Sequence, residues 1–170
     1  MHSPLPGSIL ADRHPGFRQP LGSRGQSREQ SHLRINGGAL WILSGTTNQI
    51  VKKITVGSEN ANTAVNSFTS QAYLTNELFQ PSTLGIVNLM TGKVANVSVG
   101  NTPFGVCVDL FTNLVFVTNK GDGTVAIVNG NTAKKVGSVN ANSDFIDVNP
   151  VSRLVYATDN SANVVHVISE

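Results

Sequence analysis

Asp147 stands inside the apolar run Phe145-Ile146-Asp147-Val148, where a carboxylate is out of place unless something solvates or uses it. Asp144 precedes it by three residues. Two carboxylates can take a cation or accept hydrogen bonds from a ligand. Strand positions three apart point to opposite faces, so the pair is not a ready-made clamp. Asp147 is therefore the first candidate binding residue and Asp144 the second. Each stands against a plainer role, solvating a channel or capping a turn. His166 sits between Val165 and Val167, and Cys107 between Val106 and Val108. A metal site needs several ligands, and a catalytic His needs a nucleophile and an orienting group. His166 reads as a strand histidine and Cys107 as a small hydrophobe. The sequence holds no phosphate-binding glycine loop, zinc-ligand spacing or nucleophile elbow. No catalytic residue, metal set or cofactor is expected.

Composition says what kind of frame must hold these residues. The 170 residues are 39% hydrophobic but only 13% charged, about half the usual charged share. There are 16 Gly and 18 Asn. Such a chain is poor in helix formers and rich in turn formers, which favours many short strands. It has no apolar run long enough for a transmembrane helix. The single cysteine excludes an internal disulfide framework. Residues 1–35 carry a net charge of +3 and the remainder −1. Residues 1–36 show no apolar periodicity and read as a disordered basic tail. Its arginines are scattered and lack aromatic partners, so no nucleic-acid contact is expected.

From residue 37 onward the sequence repeats. Tyr73-Leu74-Thr75-Asn76 recurs as Phe116-Val117-Thr118-Asn119 after 43 residues, and as Tyr156-Ala157-Thr158-Asp159 after a further 40. Each repeat offers four short strands in the same order. The first ends in Asn66, Asp109 or Asn149, the second carries the aromatic, the third is Val-rich, and the fourth is rich in Lys and Val. Four strands in about 40 residues is the signature of a propeller blade. Val106-Cys107-Val108 and Val125-Ala126-Ile127-Val128 are apolar on both faces, as a sheet covered on both sides requires. The recurring Asx residues point to turns that close on their own backbone.

Val115 to Asn119, followed by Gly121-Asp122-Gly123-Thr124-Val125 and preceded by Val99 to Val106, resembles the YVTN-type β-propeller repeat. The resemblance spans roughly residues 41–170. It implies an exported binding scaffold and supplies no catalytic residue. The fold expected is an all-β partial propeller of about three four-stranded blades, an open arc. The blades fall at 58–100 and 101–140, with a two-stranded partial blade at 37–57 and an incomplete one at 141–170.

The function expected is a non-enzymatic module that binds a protein or polysaccharide, within a longer propeller. The alternative is a piece of a propeller enzyme, a metal-dependent lactonase-like or lyase-like hydrolase. Open blade faces are expected to drive self-association.

Overall fold

The computed structural model describes residues 9–11, 31–36, 38–57, 60–76 and 82–169. The described residues form fifteen strands and no helix, hence none long and apolar enough to cross a membrane. The first sheet holds β1 (Ile9–Ala11), β2 (Ser31–Asn36), β3 (Ala39–Ser44) and β4 (Ile50–Thr55). The second holds β5 (Asn60–Asn66), β6 (Gln71–Asn76), β7 (Thr83–Asn88) and β8 (Val94–Ser98). The third holds β9 (Pro103–Val108), β10 (Leu114–Asn119), β11 (Thr124–Asn129) and β12 (Lys134–Asn140). The fourth has three strands, β13 (Phe145–Val148), β14 (Val155–Asp159) and β15 (Val164–Ile168). All pairs are antiparallel except β1 with β2, which run parallel. The sheets stack face to face through their first strands, β5 on β9 and β9 on β13. They form an open arc.

Strand alternation explains why the inner strands of the middle sheets are apolar on both faces. In β10, Val115 and Val117 face the second sheet, where they pack with Tyr73, Leu84 and Ile86. Phe116, between them in sequence, faces the fourth sheet and packs with Ile146, Val155 and Ala157. Leu33, Leu40 and Ile42 of the first sheet meet Ala72, Leu74 and Val87 of the second in the same way. Tyr73 and Phe116 are wholly buried, each stabilising its interface by about 2–3 kcal/mol.

One turn is used again and again. Phe68, Met90, Phe111, Asn131 and Val151 each donate a backbone N–H to an Asx side chain two residues earlier, at 2.7–3.1 Å. The next residue donates to the same oxygen at 2.8–3.4 Å. Four residues after the Asx the chain takes a positive φ: 53° at Ser70, 59° at Asn113, 52° at Ala133 and 60° at Arg153. The recurring Asx residues of the sequence thus serve turns. Hairpin topology places the turns after the first and third strands on one rim and the remaining loops on the other.

The start of the blades differs from the expectation. Ser31–Asn36, assigned to the tail, is a full strand, and Ile9–Ala11 pairs with it, so the first blade has four strands rather than two. Only Leu33 and Ile35 face the neighbouring sheet, while His32 and Arg34 face away. A half-apolar strand of six residues carries little signal until β3 pairs with it. The rest of the expected tail lies outside the described residues.

Candidate functional site

The two candidate carboxylates serve different surroundings. Asp147 points from the middle of β13 onto the exposed face of the last sheet, opposite Tyr156. Its Oδ1 accepts the N–H of Val148 at 2.9 Å. Asp144 lies in the loop before β13 and is half-buried. Its Oδ1 is 2.8 Å from Lys120 Nζ, and its Oδ2 accepts from Asn160 Nδ2 at 3.2 Å. Lys120 also lies 4.2 Å above the ring of Phe104, which meets Phe145 edge-on at 5.9 Å. Asp144 borders a hollow of about 210 Å3 with Asn142, Ser143, Asp159, Asn160 and Ser161. Hydrogen bonds from the Ser161 hydroxyl and the Ala162 N–H hold the Asp159 carboxyl below the usual carboxylate range.

His166 Nε2 stands 3.9 Å from Asp159 Oδ2, and Cys107 is buried among Phe116, Val125 and Ile146. Among the described residues no three His, Cys, Asp or Glu side chains gather as metal ligands would.

The repeated tetrapeptide has a mechanical reading. Thr75 and Thr118 accept backbone N–H groups of their first strands, from Asn62 at 3.0 Å and Gly105 at 2.7 Å. Asn76 and Asn119 donate across the following hairpin to Thr83 and Thr124, at 3.0 and 3.2 Å. Asp159 instead accepts the N–H groups of Ser161 and Ala162, at 2.9 and 3.0 Å. These residues brace a blade.

The opposite rim carries two features that sequence reasoning missed. The first is a polar lock between blades. Asn66 Nδ2 donates to Asn113 Oδ1 at 2.8 Å, and Tyr73 Oη donates to the same oxygen at 2.6 Å. Burial pushes the Tyr73 phenol up to about 12. Gly130 passes so close that an added Cβ would meet the Tyr73 hydroxyl. At the next interface Asp109 Oδ2 takes the place of Asn66 and accepts from Arg153 Nε at 3.0 Å. The second feature is a row of apolar turn tips. Phe68, Phe111 and Val151 occupy the same turn position in successive blades and are 68%, 69% and 90% exposed. The rings of Phe68 and Phe111 meet at 5.8 Å. An apolar residue two places after the Asx that ends each first strand is the signal that would have found them.

The comparisons agree with this geometry. The chain resembles Kuenenia stuttgartiensis hydrazine synthase with a TM-score of 0.67 and 15% identity, covering 77% of this chain and 40% of that one. It resembles a chain of the mitotic checkpoint complex at 0.65 and 16%, covering 76% and 42%. It resembles the WD40 β-propeller domain of Doa1 at 0.63 and 11%, covering 78% and 44%. Such likeness carries the fold: the chain is a β-propeller arc. It spans less than half the length of these chains. No protein-family model matches it, and no curated protein does.

Proposed function

We propose that the chain is a YVTN-type repeat module that works as a protein-binding scaffold, its contact surface being the rim of Phe68, Phe111 and Val151. The carrying observation is that row. Three large apolar side chains stand exposed at equivalent places, on turns fixed by paired Asx hydrogen bonds. Monomer surfaces seldom hold such rows without a partner, and exposed aromatics anchor interfaces at low entropic cost. The YVTN assignment is supported by the bracing roles of Thr75, Thr118, Asn76 and Asn119. The polar hollow beside Asp144 favours a second reading, a saccharide or other hydroxyl-rich ligand. Asp144→Ala should then abolish retention on a glycan array while leaving the rim unaffected.

The main reading is tested with a photo-crosslinking amino acid at position 111, and at position 142 on the other rim as a control. One defined protein should be labelled from position 111 only. Phe68→Ser with Phe111→Ser should cut labelling of that protein from a probe at position 151 at least tenfold. Stability should stay within about 1 kcal/mol, since the side chains are exposed. Equal labelling from both rims, or labelling indifferent to the two substitutions, would reject the rim as the contact.

A further inference from the structure

We infer that two copies of this chain close one ring, the open face of β13–β15 in one copy seating on the open face of β2–β4 in the other. The strand registers make the two faces comparable with the interfaces already filled inside the arc.

Between the second and third sheets, Tyr73, Leu84 and Ile86 meet Val115, Val117, Ala126 and Val128. Counting along the registers, Tyr156, Val165 and Val167 hold the places of Tyr73, Leu84 and Ile86 in the last sheet. They are 37%, 55% and 57% exposed. His32, Arg34, Trp41 and Leu43 hold the places of Val115, Val117, Ala126 and Val128 in the first sheet. Each end therefore presents the half-interface that a neighbouring blade would complete, with Trp41 and Leu43 on one side and Tyr156, Val165 and Val167 on the other.

The charges complete the match. Asp147 takes the place held by Ala64 and Cys107 in the inner blades, so the last sheet puts a carboxylate where its neighbours are apolar. The first sheet does the opposite, with His32 and Arg34 at places that are apolar elsewhere: Ala72 and Leu74, Val115 and Val117, Val155 and Ala157. Lys53 adds a third basic group beside Trp41, its Nζ 4.7 Å from the ring. The strand positions on this face, among the described residues, include no carboxylate, and those around Asp147 include no cation. Opposed charges fix the pairing as head to tail, because two like ends repel.

Closure follows from the blade count. A head-to-tail contact builds a ring when its rotation closes and a filament when it does not. The four sheets of the described residues make eight from two copies, at the upper end of the range in which propellers close. A two-fold axis along the channel then uses the same contact twice. No end is left for a third copy.

Light scattering behind size-exclusion chromatography, over a dilution series of the 170-residue chain, should find a particle of twice the 18.0 kDa chain mass and nothing larger. Asp147→Lys and Arg34→Asp should each weaken the dimer at least tenfold. The double variant should recover to within about threefold of the wild type, because the charges are exchanged rather than lost. Both sites are exposed, and circular dichroism checks that each variant keeps its strands. A wild-type monomer at every concentration, a ladder of growing species, or a double variant no tighter than the singles would overturn the proposal. Further blades or another protein would then be what covers these faces.

Discussion

Asp109→Ala is expected to destabilise the fold by about 3 kcal/mol, among the largest effects of any single rim substitution. The Asp109 carboxylate is nearly inaccessible, with 2% of its side chain exposed. Its Oδ1 accepts the N–H groups of Phe111 and Thr112 at 2.7 and 3.0 Å, and its Oδ2 accepts from Arg153. Hydrogen bonds to a charged acceptor are worth about 1.5–3 kcal/mol each, and removing the acceptor strands the two backbone donors. Arg153 stays 44% exposed and can turn to water, which limits the loss on that side.

Asn66, Tyr73 and Asn113 form the lock between the second and third blades; Asp109, Phe116 and Arg153 occupy the same places one blade on. Where the phenol is present, the residue it bonds is Asn. Where the ring lacks its hydroxyl, a charged pair spans the gap. Asp109→Asn alone should cost about 1–2 kcal/mol, since it sets an amide against a guanidinium. Adding Arg153→Asn and Phe116→Tyr should recover most of that loss, and Asn suits the positive φ at 153 better than Arg does. Urea unfolding of the single, double and triple variants measures the cycle. Independent, additive losses across the three changes would show that the lock is not a transferable unit.

This contrast also shows what the sequence could and could not say. The blades were legible because the inner strands of each middle sheet are covered on both faces, so Val106 to Val108 and Val125 to Val128 are apolar without interruption, and the Asx turns fall at fixed intervals. Val125 to Val128 carries that signal by itself. Ser31–Asn36 does not, because its outer face is open and Arg34 and His32 break the pattern. The candidate site was less legible. Asp147 stood out as a carboxylate among apolar residues, and it does lie on a sheet face. That this face lies at the open end of the arc is a property of how the sheets stack. The lock escaped for a related reason: Asn113 and Arg153 share a position and have no chemistry in common. Only the packing of successive turns shows that each reaches back to the previous blade's Asx. Phe68 and Phe111 are of a residue type that usually fills a core, and their place on turn tips exposes them.

Alkaline pH should expose the Tyr73 lock selectively. The phenol is wholly buried, and burial holds its folded pKa near 12 against an ordinary value of 10.0. A group whose folded pKa is raised gives its full stabilisation below the unfolded pKa and loses it as pH climbs through the folded one. Stability owed to the protonated phenol is therefore intact up to about pH 10 and falls between there and about 12, by up to about 3 kcal/mol at 1.36 kcal/mol per unit. Tyr73→Phe removes the titrating group along with the bond to Asn113, at a cost of about 1–2 kcal/mol near neutral pH. Cys107 and the lysines are common to both proteins, so the difference between them isolates Tyr73. Wild type should be the more stable protein at pH 8, and the two curves should meet or cross before pH 12. A gap that stays constant across that range would mean that Tyr73 ionises as freely in the folded protein as in the unfolded chain, and that burial does not hold its proton.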